Sequence, residues 1–348
     1  MNLRQSHCEK SLYVPYSDLA HRYIFRLVMD QQKIYRWLLK CAVLLVFAVI
    51  TLWEVDLAEM IGYVRRDTMI AALLVQPICA LSLVAAGWRL KFLLHDQRAT
   101  ISVSIKAVSL CYGLNALLPG RASEMLKVIY LRNMAGIAVA RGFAAIFLER
   151  ASDVLMLGIL TLVGIVGLAF NVELTILAAI PILIAGLVLV PRLQFPLIKF
   201  ADRLPRRLQN FAQGFITHTA AQLRDGRFYW ALNIATVVWL LAYLQVLLFL
   251  HLAGSIPVGM LGAMAVLVAG AVGGAIPVLP GGFGTYEAAV IFALKGYGYT
   301  TEEALSIAVV LHASQLLLCV VGALFIALTE RIGIHSTAQQ IKDLSPYR

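Results

Sequence analysis

Apolar segments of helical length dominate the chain and alternate with short polar stretches. The long ones cover 38–53, 69–88, 101–118, 138–170, 174–190, 228–253, 259–278 and 303–328. Because a bilayer-spanning helix needs about 20 apolar residues, or somewhat fewer in places, this pattern predicts an all-α polytopic membrane protein. Two further apolar stretches, 122–131 and 285–296, are too short to cross. At 1.5 Å per residue the longer one reaches only about 18 Å.

Each short stretch follows a break in the apolar sequence. Residues 277–287 read P-V-L-P-G-G-F-G-T-Y-E, with two prolines and three glycines. Proline cannot continue a helix, and glycine permits backbone angles that other residues resist. Broken backbone within a bilayer survives only where protein or a wet cavity satisfies its polar groups. The break therefore indicates either a transporter-like site or a tight loop at the membrane surface.

The first break resembles the second, which indicates an internal repeat. L-L-P-G-R-A-S-E from Leu117 parallels V-L-P-G-G-F-G-T-Y-E from Val278, and A-S recurs at 151–152 and 313–314. Pro119 precedes Arg150 by 31 positions, and Pro280 precedes His312 by 32. The predicted units are 38–170 and 174–328. Each contains two segments, a broken hairpin and a further segment.

The distribution of charge predicts how the units are oriented. If both hairpins are re-entrant, each unit crosses three times and the second is inverted. With the N-terminus inside, the basic regions 1–37, 89–100, 192–227 and the tail 329–348 all lie inside. The outer loops then hold only Arg65, Arg66 and Lys295 as basic residues, against seven acidic ones, as the positive-inside rule requires. We therefore expect about six spanning helices plus two re-entrant hairpins in an inverted-topology repeat, with both termini in the cytoplasm. Such repeats are typical of alternating-access carriers.

Two basic segments have amphipathic character. The N-terminal segment 1–37 is either a helix lying on lipid headgroups or a solvated tail. Within 192–227, four apolar residues recur at helical spacing: Leu204, Leu208, Phe211 and Phe215. They predict a cytoplasmic helix on an anionic leaflet, with a soluble connector as the alternative.

Composition narrows the class further. The 348 residues are 61% hydrophobic and 14% charged, and the net charge is +10. Since the basic residues fall in loops, they indicate membrane topology rather than nucleic-acid binding. The five cysteines lack metal-type spacing, and no nucleotide loop or nucleophile motif occurs. We expect a multi-pass protein of the cell inner membrane with no cofactor and no metal.

Charged residues inside the apolar segments are the first candidate site. Arg121, Glu124 and Lys127 follow the first break, and three more lie in the next helix: Glu149, Arg150 and Asp153. Intramembrane ionisable groups usually face the bundle interior or a cavity. Arg121 and Arg150 could hold an anionic phosphate through their planar forks, with the carboxylates balancing them or carrying protons. A closed salt-bridge cluster that docks the hairpin is the alternative.

The second candidate site lies at the second break. Gly281, Gly282 and Gly284 precede a helix, so their amides and the helix dipole could form an anion nest. Glu287 either caps those amides or binds a cation or proton. His312 is a candidate proton relay with no evident partner in the sequence. Gly270 and Gly274 have the spacing of close helix packing.

These motifs together resemble the lysylphosphatidylglycerol synthase transmembrane-region family, a flippase-like membrane domain. The resemblance rests on N-A-L-L-P-G-R-A-S-E, L-E-R-A-S-D and I-P-V-L-P-G-G-F-G-T-Y-E-A, and it covers roughly residues 38–328. Membership implies a protein that moves, or helps to move, a lipid with a charged or sugar-bearing headgroup. By position, its motif residues would be Arg121, Glu124, Glu149, Arg150, Asp153 and Glu287. Ser123 departs from the glycine expected there. The chain ends soon after Arg331, so we do not expect the soluble aminoacyl-transferase domain or its lysyl transfer.

The sequence therefore favours a transporter over an enzyme: a flippase for an anionic or sugar-bearing lipid. The alternative is a membrane-embedded transferase, or an accessory or anchoring subunit of a lipid- or polyprenyl-phosphate-linked glycosyl or aminoacyl transferase. The expected partner is a membrane lipid. A homodimer or a partner synthase is a further candidate.

Overall fold

A computed structural model describes residues 62–64, 66–116, 122–169, 206–276 and 280–330, which are helices joined by short turns. The first five helices are α1 (Arg66–Leu74), α2 (Gln76–Leu94), α3 (Ile101–Asn115), α4 (Ala122–Ala135) and α5 (Val139–Ala169). The remaining ones are α6 (Arg206–Arg224), α7 (Arg227–Ala253), α8 (Gly259–Ala275), α9 (Thr285–Lys295) and α10 (Thr301–Thr329). A single 3₁₀ turn, Pro280–Gly282, precedes α9.

The predicted all-α class is confirmed over these residues, and most predicted segments match a helix to within a few positions. Within the described ranges, three stretches are long and apolar enough to cross a membrane: Arg66–Leu94, Arg227–Ala253 and Thr301–Thr329. The protein is thus a membrane protein. The segments predicted at 38–53 and 174–190, the N-terminal segment 1–37 and the tail after Glu330 lie outside the described residues.

Helix α2 differs from its prediction at both ends. The predicted segment 69–88 is divided at Val75, because Pro77 near the start of α2 lacks the donor that would continue the preceding helix. Helix α2 then extends to Leu94 and ends at His95, whose φ of 43° is left-handed. Residues 89–94, predicted as part of an inside loop, are therefore helical, and Arg89 among them is fully buried.

Helices α3 and α4 form the first hairpin, and α8 and α9 form the second. In the second hairpin the arms approach closely because α8 presents glycines. A Cβ atom at Gly270 would lie 2.7 Å from the Tyr286 ring, and one at Gly273 would collide with the carbonyl of Thr285. This geometry agrees with the packing role predicted for Gly270.

The open ends of the two hairpins lie at opposite ends of α10. At its C-terminal end, Glu330 accepts hydrogen bonds from Lys106 Nζ at 2.6 Å and from the Tyr130 hydroxyl at 2.7 Å, both in the first hairpin. At its N-terminal end, the Tyr299 hydroxyl donates to the carbonyl of Ile256, beside the second hairpin, at 2.6 Å. Because α10 has 29 residues, these ends are separated by about 44 Å.

The first arm of each hairpin packs against the long helix that ends the other half of the chain. Helix α3 packs against α10, α8 packs against α5, and α2 packs against α7. One apolar core lies around α7 and the second hairpin, and another around α2 and the first hairpin. This arrangement brings the broken ends of both hairpins to the same interior region.

The amphipathic helix predicted in 192–227 is α6, and two residues of its predicted apolar face, Phe211 and Phe215, pack on protein, while Leu204 lies outside the described residues. Phe211 packs edge-on against Phe143 with ring centroids 5.8 Å apart, and Phe215 packs against Phe147 at 5.6 Å. Both partners lie on α5. Contact of α6 with a lipid leaflet remains a prediction.

Candidate functional site

A cavity of about 450 Å³ lies between the two hairpins, α5 and α7. Its polar and charged lining residues include Asn115, Ser123, Glu124, Arg150 and Asp153. The other lining residues are mostly apolar or glycine, and they include Val154, Leu157, Val238, Ala242, Gly270, Gly274, Gly281 and Gly282. The cavity therefore combines a few hydrogen-bonding groups with small apolar surfaces.

Arg150 is the loosely held cation of this cavity. Its Nη2 lies 3.3 Å from Asp153 Oδ2, and its Nε lies 3.6 Å from Glu124 Oε1. The Nε is buried and has no hydrogen-bond partner among the described residues, while the side chain as a whole is 32% exposed. An arginine with long ion-pair distances and a spare donor can bind an acceptor that enters the cavity.

Asp153 is already occupied by other donors. Buried Arg89 donates from Nη1 to Asp153 Oδ1 at 2.6 Å, and the Trp239 indole donates to the same oxygen at 3.3 Å. Arg89 also donates to the Ser152 hydroxyl at 3.2 Å. These contacts fix the carboxylate of Asp153, so it positions Arg150 rather than offering free acceptor capacity.

Lys127 and Glu149 form a closed pair behind the cavity wall. Lys127 Nζ lies 2.6 Å from Glu149 Oε2, and the two side chains are 1% and 0% exposed. Arg89 Nε lies 3.9 Å from the other oxygen of Glu149. Neither member of the pair lines the cavity. The pair joins α4 to α5, as expected of a contact that docks the first hairpin.

The structure thus divides the predicted charged set in two. Glu124, Arg150 and Asp153 face the cavity, whereas Lys127 and Glu149 are closed on each other. Arg121, predicted to hold phosphate with Arg150, lies outside the described residues. Among the described members of the cluster, three cations (Arg89, Lys127 and Arg150) meet three carboxylates (Glu124, Glu149 and Asp153).

Glu287 uses both of its oxygens within the protein. Oε2 accepts from the Gly284 amide at 2.6 Å, which is the capping contact, one of the two roles considered for Glu287. Oε1 lies 2.7 Å from Nδ1 of His312. His312, for which the sequence showed no evident partner, is therefore paired with Glu287. Tyr286 stacks on the His312 ring with centroids 4.0 Å apart. Because Glu287 occupies the Gly284 amide, that amide is not free for the predicted anion nest.

Gly281 and Gly282 remain at the cavity surface. Their φ angles are 66° and 77°, a left-handed conformation that glycine adopts without strain. A Cβ at Gly282 would lie 2.7 Å from the Cα of Gly274 on α8. These glycines allow the broken backbone to approach both α8 and the cavity.

Sequence reasoning missed four residues that matter here: Arg89, Asn115, Ser123 and Trp239. Arg89 was assigned to a loop because the predicted helix stopped one residue before it. The sequence did contain a signal for Arg89: it is an ionisable residue at the end of an apolar run. If the helix continues beyond that run, the residue lies within the membrane interior. Asn115 and Ser123 lie in the motif N-A-L-L-P-G-R-A-S-E, so polar side chains flanking the break were the available signal. Trp239 lies in an apolar segment, where its spacing does not distinguish it from a packing residue.

The fold and this cavity define an α-helical membrane protein with a partly polar interior site formed by two broken hairpins. The chain belongs to the lysylphosphatidylglycerol synthase transmembrane-region family, whose model matches residues 37–323. The resemblance seen in the sequence motifs is therefore confirmed. The family connects the protein with lipid modification or transport. Comparison with curated proteins and with solved structures gave no match.

Proposed function

We propose that this protein moves an anionic or sugar-bearing lipid across the inner membrane, in which it is a multi-pass protein, and that the cavity holds the headgroup. The observation that carries the proposal is Arg150. Its buried Nε has no hydrogen-bond partner in the part of the chain that the structure describes, and its two carboxylate contacts are long. A phosphate oxygen is a stronger acceptor for this guanidinium than either carboxylate at its present distance.

The dimensions of the cavity fit a headgroup rather than a whole lipid. A volume of about 450 Å³ lies at the lower end of the range for small-molecule sites. A phosphate with a glycerol or single sugar would fit within it, leaving the acyl chains in the bilayer. Glu124 and Asn115 supply acceptors for hydroxyl groups on such a headgroup.

The arrangement of the hairpins supports alternating access as the mechanism. In an inverted repeat, each contact in one half should have a counterpart in the other. The pairing of α3 with α10 corresponds to that of α8 with α5 once the halves are exchanged. The open ends of the hairpins at opposite ends of α10 agree with the same scheme. We infer that rocking of the two halves exposes Arg150 to each side in turn.

Two sets of polar contacts are candidates for bonds that break or change protonation during transport. The bonds of Glu330 to Lys106 and Tyr130 hold the first hairpin against α10. Opening on that side would break them. The buried pair of Glu287 and His312 is the candidate proton relay, because its members lie within hydrogen-bond distance.

Purified protein in liposomes tests the lipid-moving function. Fluorescent lipids with phosphatidylglycerol, phosphatidylcholine and glycolipid headgroups would be placed in one leaflet, and their appearance in the other followed by chemical quenching. We expect faster movement of the anionic or sugar-bearing lipids than of phosphatidylcholine. If no lipid moves faster than in empty liposomes, the accessory or transferase alternative replaces the proposal.

The inverted arrangement has its own test. Single cysteines at positions 206 and 295, in a variant without the native cysteines, would be labelled from one side of sealed vesicles. We expect opposite-side labelling of Arg206→Cys and Lys295→Cys. Labelling from the same side would exclude the inverted repeat while leaving lipid binding untouched.

A further inference from the structure

A second pocket, of about 620 Å³, lies where the end of α2 meets the beginning of α7. Helix α2 contributes Trp88, Lys91 and Phe92, the turn after it contributes His95, and α7 contributes Arg227. It shares no lining residue with the central cavity.

The α2 residues of this pocket form one face of the helix. Positions 88, 91, 92 and 95 follow the spacing i, i+3, i+4 and i+7 of a single helical face. Trp88 is 60% exposed, and Lys91 is exposed too. The intervening residues Leu90 and Leu93 are fully buried in the core. Trp88 and Lys91 therefore project outward, away from the protein interior.

The charges of the pocket favour an anion. Lys91 and Arg227 are its two permanent cations. Asp96 also lines it, but this carboxylate binds Arg98 at 2.8 Å and Arg141 at 2.7 Å. Hydrogen bonds from Arg98, together with the charges of both arginines, hold the pKa of Asp96 well below its usual range.

The surroundings of the two cations leave them available. Arg227 has a loose partner in Asp225, at 3.5 Å with the carboxylate half-exposed. The end of α2 adds the partial negative charge of its carbonyls, which Lys91 in the last turn offsets. Since that partial charge is about half an elementary charge, the full charge of Lys91 exceeds it, and Arg227 adds a second cation with only a loose partner.

The position of the pocket identifies the source of the anion. The stretch Arg66–Leu94 and α7 are both long and apolar enough to span a membrane, and the pocket lies at the ends of both. Tryptophan and basic residues at such ends occupy the level of lipid headgroups. We propose that this pocket is a binding site for an anionic glycerophospholipid. Its phosphate lies at Lys91 and Arg227, and its glycerol and first acyl carbons lie along Trp88 and Phe92.

Lipid retention measured on the full chain tests this site. Protein purified in detergent would be equilibrated with dioleoylphosphatidylglycerol or dioleoylphosphatidylcholine, and bound lipid counted by native mass spectrometry. The wild type should retain phosphatidylglycerol in preference. For Lys91→Gln/Arg227→Gln we expect about 30-fold weaker retention, since each basic side chain near a lipid surface contributes roughly fivefold.

Two controls separate a site from general attraction. Arg132→Gln removes an exposed cation from α4 at the same end of the molecule and should leave the preference unchanged. Trp88→Ala should weaken retention although it alters no charge, because it removes the surface for the glycerol and acyl carbons. Circular dichroism establishes that each variant is folded.

Three results would overturn the proposal. One is equal retention by the wild type and the double variant, and another is a loss in Arg132→Gln as large as in Lys91→Gln/Arg227→Gln. The third is displacement of bound phosphatidylglycerol by millimolar inorganic phosphate, which would indicate a free-phosphate site. Because the central cavity is also proposed to hold this headgroup, each comparison is repeated in an Arg150→Gln background. A loss that the Lys91→Gln/Arg227→Gln pair still causes there reports this pocket, whereas a loss caused by Arg150→Gln alone reports the proposed transport site.

Discussion

The closed pair of Lys127 and Glu149 makes the sharpest prediction about stability. Replacing Glu149 by leucine would leave the Lys127 ammonium 1% exposed with no carboxylate at 2.6 Å. At an effective dielectric constant near 20, that attraction amounts to about 6 kcal/mol before desolvation is counted. Breaking a buried pair by removing one partner typically lowers stability by about 3–5 kcal/mol, and we expect that range for Glu149→Leu.

The reciprocal change should be milder. In Lys127→Met, Glu149 keeps Arg89 at 3.9 Å as a second cation, so we expect a loss of about 2–3 kcal/mol. In Lys127→Met/Glu149→Leu neither charge is left unpaired. Such a replacement of a buried pair by apolar residues is often neutral, so the double variant should lie within about 1 kcal/mol of the wild type.

The free energy of unfolding in mixed micelles, followed by circular dichroism over a denaturant titration, completes this double-mutant cycle. A loss below about 1 kcal/mol for Glu149→Leu would refute the reasoning. So would a double variant less stable than both single variants. Lipid movement by the folded double variant would further show that the pair docks the first hairpin and takes no part in transport.

Three further predictions concern packing, capping and charge. Gly273→Ala should lower stability by about 1–3 kcal/mol through overpacking between the arms of the second hairpin. Gly158→Ala is the control, since a Cβ there meets no atom of the described residues within 4 Å; it should leave stability unchanged or raise it by up to about 1 kcal/mol. Equal losses in thermal stability for the two variants would contradict the packing account. Glu287→Leu should cost about 1–3 kcal/mol in the same unfolding assay, because it leaves an amide and a histidine nitrogen unpaired; a neutral result would contradict the cap. Asp96→Asn should lose about 0.5–1 kcal/mol at pH 7. Since the pKa of Asp96 is lowered by folding, this difference should be constant above the usual carboxyl pKa near 3.9 and shrink as the pH falls below it; a difference that grows in acid would contradict it.

The helices were predictable because a chain segment in lipid must be apolar and must satisfy its backbone hydrogen bonds internally. Long apolar runs and proline-glycine breaks fixed the positions of most helices, and α5, α7 and α10 differ from their predictions by no more than two residues at either end. The errors lie where local signals compete. Helix α2 passes Arg89 because the side chain finds Asp153 and Ser152 on α5, a long-range compensation that no local pattern records.

The site was predictable in its residue types and less so in its pairing. Charges in apolar segments identified Glu124, Arg150 and Asp153, which all face the cavity. Spacing alone could not show that Lys127 pairs with Glu149, or that Glu287 pairs with His312, which lies 25 residues further along the chain on α10. Those choices depend on how hairpins and helices pack, which is a property of the tertiary structure.

Arg150 provides the most direct test of the account. In liposomes containing fluorescent phosphatidylglycerol, Arg150→Gln should slow transbilayer movement by roughly 10- to 150-fold, the loss of one charge-assisted hydrogen-bonding contact to the headgroup. Arg132→Gln, which removes an exposed cation outside the cavity, should move lipid at the wild-type rate. Wild-type movement by folded Arg150→Gln would contradict the claim that this cavity carries the lipid headgroup.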